Sequence, residues 1–169
     1  MSETQSIPLA DRWPLRFESF GFGARCYNTL RCSIVFSNHE HSLHESEPSG
    51  EPYSPDWKAH WHGGFSMSRN LVRDGYPGPI EIRWTALDGV ARQTEIDLES
   101  IFPNREILHN AKPEDLEEWW AVGGYFGKGH RVNVLLEVND RTINIYMKYA
   151  VRTKHLENAP GESESHVIL

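Results

Sequence analysis

Two stretches of strict alternation, each folded back on itself at a turn dipeptide, constrain this chain more than any other feature. Ile80, Ile82, Trp84 and Ala86 fall on one side of an extended segment, and Glu81, Arg83 and Thr85 fall on the other; this is the period of a half-buried strand. Asp88-Gly89 then supplies hairpin chemistry, and on the return Thr94, Ile96 and Leu98 alternate with Gln93, Glu95 and Asp97. The second hairpin is longer. Val132, Val134, Leu136 and Val138 lead up to Asn139-Asp140, and Ile143, Ile145, Met147, Tyr149 and Val151 alternate on the way back. Hairpins of this kind must each bury one face. The expected fold class is therefore mainly β, an antiparallel β-sandwich or a strongly twisted sheet with one short helix.

Further strands are expected at about 14–20, 29–37 and 64–68, where Leu15, Phe17, Leu30, Cys32, Ile34 and Phe36 carry the apolar positions. The helix is expected to open at Pro113, to carry Glu114, Asp115, Glu117 and Glu118 near its positive end, and to stop at Gly123-Gly124. A length of 169 residues suits one core. One domain over 12–155 is expected, with flexible termini at 1–11 and 156–169. The connections 38–63 and 102–130 exceed simple turns, and long loops on a rigid scaffold are where binding usually resides.

Charge narrows the function classes. The net charge is −7, and it is concentrated: Glu40, Glu45, Glu47, Glu51 and Asp56 lie in 38–56 without a Lys or Arg, and Glu157, Glu162 and Glu164 lie in the tail. The remainder is nearly neutral and shows no basic stripe, so no nucleic-acid partner is expected. An acidic surface can instead steer a basic protein. No apolar run approaches the roughly 20 residues that span a bilayer, so no membrane insertion is expected. Met1 to Leu15 lacks the basic and apolar regions of a secretory leader, so the chain as written is expected in the cytoplasm, or in the periplasm if a leader has been removed. Cys26 and Cys32 read as neither a disulfide framework nor a zinc ligand set.

Several constellations invite chemistry without specifying it. His39, His41, His44, His60 and His62 crowd one loop, but no ligand interval of a known zinc site is present, and a solvated polar loop is the reading taken. No metal or other cofactor is assigned. The Gly123–Gly129 run has Val122 where a P-loop requires Gly and Gly129 where it requires Ser or Thr. No nucleophile elbow exists, and no catalytic residue is assigned. The cluster Tyr53, Trp57, Trp61 and Phe65 is more informative, because Trp and Tyr are the usual anchors of protein interfaces.

Tyr27-Asn28-Thr29 leading into Leu30-Arg31-Cys32-Ser33-Ile34, then Gly63-Gly64, then Pro77-Gly78-Pro79-Ile80-Glu81-Ile82-Arg83-Trp84-Thr85 resembles a family of small domains encoded beside phospholipase effectors of bacterial type VI secretion systems. Members of that family look like immunity proteins. The resemblance covers about 15–100. It implies an antitoxin, not an enzyme, that binds a cognate effector of the lipase class and neutralises it by stoichiometric occlusion. Under that reading Tyr53, Trp57 and Trp61 are the expected anchors, and Glu45, Glu47, Glu51 and Asp56 the steering or ion-pairing groups. Two other readings stay open: a carbohydrate- or ligand-binding sandwich, and a metal-dependent enzyme using the His39–His62 loop.

Overall fold

The computed structural model describes residues 13–51, 75–109, 112–117 and 130–149, together with the backbone of 68–70. Its strands are β1 (Phe17–Tyr27), β2 (Thr29–Phe36), β3 (His39–His44), β4 (Ser68–Asn70), β5 (Ile80–Ala86), β6 (Ala91–Ile96), β7 (His130–Asn139) and β8 (Thr142–Lys148). They form two four-stranded sheets, one in the order β4-β1-β7-β8 and the other in the order β3-β2-β5-β6. The mainly β expectation holds. All pairings between these strands are antiparallel except β1 with β7, which run parallel from Phe17↔His130 to Tyr27↔Asn139.

The core lies between the sheets. Phe20, Phe22 and Ala24 from β1 and Val132, Val134, Leu136 and Val138 from β7 meet Ile34 and Phe36 from β2 and Ile80, Ile82 and Ala86 from β5. Leu15, Leu98, Phe102, Ile107 and Leu116 extend the same core. Each inward set is the apolar half of an alternating strand, so the period seen in the sequence decides which residues leave water. Turn chemistry fixes the register. Ser37 and Asn38 adopt φ of 53° and 59° between β2 and β3, the backbone of a two-residue hairpin turn, and Gly89 supplies φ 77° between β5 and β6.

The sheets are joined directly by an arch of one residue, Asn28, whose φ of 50° turns the chain from β1 in one sheet to β2 in the other. Asn tolerates that left-handed conformation better than most residues. Its side-chain amide donates to Asn139 Oδ1 at 2.9 Å, and its backbone N–H donates to the Gly50 carbonyl at 3.2 Å. Asp140 closes the same end of the molecule. Its N–H donates to the Tyr27 carbonyl at 3.1 Å, its carbonyl accepts from Trp84 Nε1 at 2.8 Å, and its Oδ1 accepts from the Leu87 N–H at 3.0 Å.

The structure corrects five expectations. Cys26 and Cys32 form a disulfide, with Cα atoms 6.5 Å apart. The arch at Asn28 sends the two strands into opposed sheets, so two inward-facing thiols only 6 positions apart meet across the core. β1 reaches Tyr27 and does not end near 20, because the parallel pairing with β7 carries Gly21 and Gly23 through a stretch of weak strand propensity. The 38–63 connection is shorter than expected, since His39–His44 is a strand paired with β2. Leu98 does not belong to the return strand; it opens a short helix, α1 (Leu98–Ile101), where the Asp97 side chain caps the N–H of Glu99 at 2.9 Å. Pro113–Asp115 is one turn of 3-10 helix, and Leu116 is extended with φ −81° and ψ 143°. Leu116 is fully buried, and burying a Leu outweighs the gain of acidic residues at a helix N-terminus, ~1.5–3 against ~0.3–1 kcal/mol. The remainder of that expected helix, from Glu118, lies outside the described residues, as does 64–67 of the strand expected at 64–68.

Candidate functional site

The two sheets differ in what their outer faces expose. On the β4-β1-β7-β8 sheet, Leu135, Glu137 and Tyr146 point away from the core and are nevertheless buried. Glu137 Oε1 accepts from Asn144 Nδ2 at 3.2 Å, while desolvation and the Glu137 charge push the Tyr146 hydroxyl up to about 12. On the other sheet, Arg31, Glu81, Arg83, Gln93 and Glu95 are exposed on the outward side of β2, β5 and β6. Alternation forces this on β5, where Glu81 and Arg83 are flanked by Ile80, Ile82 and Trp84, which face the core.

Register arranges this outer face in rows. Ser33 stands opposite Arg83, which stands opposite Gln93; Arg31 stands opposite Thr85, which stands opposite Ala91; and Val35 stands opposite Glu81, which stands opposite Glu95. A shallow depression of ≈ 690 Å³ has Arg31, Ser33, His44, Glu45, Arg83, Trp84, Thr85, Arg92 and Gln93 among its lining residues. A second, of ≈ 390 Å³, lies alongside between Glu81, Arg83, Gln93 and Glu95. Arg83 Nη2 approaches Glu81 Oε2 at 3.6 Å with both side chains well exposed, a weak pair in water. Arg31 makes no ion pair among the described residues.

Of the residues expected at a partner interface, Glu45, Glu47 and Glu51 are exposed in the segment after β3. That segment is fastened to the start of β2. Ser49 N–H donates to the Thr29 carbonyl at 2.9 Å, the Thr29 N–H donates to Ser49 Oγ at 3.1 Å, and the buried Thr29 hydroxyl lies 2.8 Å from Ser49 Oγ and 2.9 Å from His44 Nε2. Glu45 and Glu47 therefore project from a stretch held at both ends. Tyr53, Asp56, Trp57 and Trp61, with His60 and His62, lie outside the described residues.

The described histidines of this region do not converge. His39 is exposed, His41 sets its ring edge-on to Phe22 with centroids 4.8 Å apart, and His44 serves the Thr29 contact. The His41 pKa is held below the ordinary imidazole value chiefly by burial, against the opposing pull of its 3.3 Å bond with the Phe36 carbonyl and with a smaller push from His39. Burial lowers His44 as well.

No protein-family model matches the chain, and no curated protein or solved structure is similar enough to count as a match. Sequence reasoning overlooked Arg31, Ser33, Thr85 and Gln93. Alternation in β5 and β6 already placed Thr85 and Gln93 outside, while Arg31 and Ser33 needed the pairing of β2 with β5 to join them.

Proposed function

We propose that the protein acts by binding another protein, as an immunity protein that occludes a cognate type VI secretion effector of the lipase class. The observation that carries the binding reading is the broad polar sheet face with shallow open depressions, continuous at Glu45 with the fastened acidic segment. Protein partners are recognised over wide, modestly contoured surfaces, whereas small ligands and substrates are usually enclosed in concave pockets. The effector identity rests on the resemblance of residues 15–100. Trp84 lines the larger depression but is only 7% exposed, so it offers little ring face for stacking on a sugar. The Cys26–Cys32 disulfide favours an oxidising compartment such as the periplasm as the place of action.

The test is co-purification with the product of the adjacent gene, followed by a lipase assay of that product. A one-to-one complex in which hydrolysis is silenced is the expected result. A product that stays fully active at saturating amounts of this protein overturns the reading.

A further inference from the structure

The acidic segment after β3 is fastened at both ends to the loop that the disulfide closes. His44, where the segment begins, stands opposite Cys32 in the β2–β3 register and lies 2.9 Å from the Thr29 hydroxyl. At the far end the Ser49 N–H donates to the Thr29 carbonyl at 2.9 Å, Ser49 Oγ accepts from the Thr29 N–H at 3.1 Å, and the Gly50 carbonyl accepts from the Asn28 N–H at 3.2 Å. Asn28, Thr29 and Cys32 all belong to the span closed by the Cys26–Cys32 bond. Glu45 and Glu47 project, exposed, between these anchors. Strand pairing holds the span loosely. The β2–β5 register shifts between Thr29 and Arg31, where two steps on β2 answer one on β5, and an extra residue of this kind interrupts the ladder. The disulfide reaches past that irregularity and ties the regular part of β2, at Cys32, back to β1. Bonds of 3.1 and 3.2 Å already lie at the long end of the usual range for N–H donors, so a displacement of roughly half an ångström at Thr29 or Asn28 breaks them.

We propose that the Cys26–Cys32 bond is a redox switch for this segment: oxidised, it fixes Glu45 and Glu47 in one presentation; reduced, it releases them while both sheets stay folded. Forming the bond removes two electrons and two protons from the thiols, which a disulfide-carrying oxidant takes up, and a dithiol reductant returns them when the bond is broken. The sheets keep their own support in either state, through the β1–β7 ladder and the β2–β5 ladder beyond Arg31. Local release with the rest of the fold intact is the ordinary behaviour of a segment held by a few bonds at its ends. The consequence for recognition rests on the protein-binding reading above. A segment already ordered loses less conformational freedom on binding, so the oxidised protein is the tighter binder and a reducing compartment leaves it in the weaker state.

The test compares three forms of the full chain in native buffer: the oxidised parent, the parent reduced in urea and returned to native buffer with dithiothreitol, and C26A/C32A. Thiol content is fixed by alkylation and mass. Each form meets a glutamate-specific protease for a short time. Cleavage after Glu45 and Glu47 is expected to quicken roughly tenfold or more in both forms that lack the bond, well before any cut after Glu81 or Glu95 inside β5 and β6. The reduced parent keeps the volume of both sulfurs, so agreement between it and C26A/C32A separates release of the segment from a packing defect. Cleavage after Glu45 and Glu47 at the oxidised rate overturns the proposal. Cuts after Glu81 and Glu95 that keep pace with those after Glu45 and Glu47, or loss of the folded state in both forms, overturn it in favour of a bond that merely stabilises the whole fold. Proteolysis needs no partner, so the switch and the effector reading fail separately. If the adjacent gene's product does not bind, the effector reading fails and the switch stands on the cleavage pattern. If that product binds both redox states equally tightly although their cleavage differs, the consequence for recognition is overturned.

Discussion

Removing the Cys26–Cys32 disulfide tests the architecture at its most economical point. The bond closes a short loop, with a sequence separation of 6, that contains the Asn28 arch and the sheet-to-sheet crossing. For a loop of that size, the chain-entropy estimate of its stabilisation is ~2 kcal/mol. Cys26 and Cys32 are 8% and 2% exposed, so Ala at both positions also loses some packing in the core, in the same direction. In a domain of this length ~2 kcal/mol corresponds to a fall of about 4–8 °C in Tm. The assay is thermal unfolding of the parent chain and of C26A/C32A, each with and without reductant, alongside mass measurement of alkylated thiols. The parent should lose about that margin on reduction and the variant should not respond. A parent whose cysteines both alkylate without reductant, or whose Tm is unchanged when the bond is broken, refutes the reasoning.

Acidification should destabilise the fold through His41 and His44: both folded pKa values lie below the unfolded value of 6.5, so the stability they confer is present above 6.5 and is lost as pH falls below it. Tm should therefore drop between pH 7.5 and pH 5.5, and H41Q/H44Q should flatten that dependence; an unchanged slope counts against the assignment. Thr29→Val removes the hydroxyl shared with Ser49 and His44 and should cost about 1–3 kcal/mol, with faster cleavage by a glutamate-specific protease after Glu45 and Glu47; a cleavage pattern equal to that of the parent would remove Thr29 as the fastening. Trp84→Phe leaves the Asp140 carbonyl without the indole donor and should cost roughly 1 kcal/mol for the hydrogen bond beyond the lost volume, read from the urea midpoint; a midpoint equal to that of the parent sinks this role.

The hairpins β5–β6 and β7–β8 were legible because side-chain period and turn residues agree: Ile80 to Ala86 and Val132 to Val138 are inward sets, and Asp88-Gly89 marks one turn. Long-range geometry was not. Nothing local in Phe20-Gly21-Phe22-Gly23 announces that β1 continues to Tyr27, since its pairing partner is more than a hundred positions away. The disulfide was missed for the same reason: Cys26 and Cys32 meet because the arch at Asn28 sends their strands into different sheets, which no local signal announces. The helix expected from Pro113 shows local propensity yielding to the burial of Leu116. At the candidate site, Glu45, Glu47 and Glu51 were legible from charge clustering alone, whereas Arg31 acquires its place beside Arg83 only through register between β2 and β5.

The parallel pairing of β1 with β7 sets an order on how this chain can come together. β2, β3, β5 and β6 are joined within 29–96, so their sheet can form while the later part of the chain is still being synthesised. β1 precedes them all, yet its long ladder is with 130–139, a contact of high sequence separation and therefore of slow closure. During that interval the apolar side of Phe17–Tyr27 lacks most of its own sheet, and it is the segment through which a nascent or translocating chain is most open to aggregation and to capture by chaperones. A chain truncated before His130 should be recovered in the insoluble fraction for this reason.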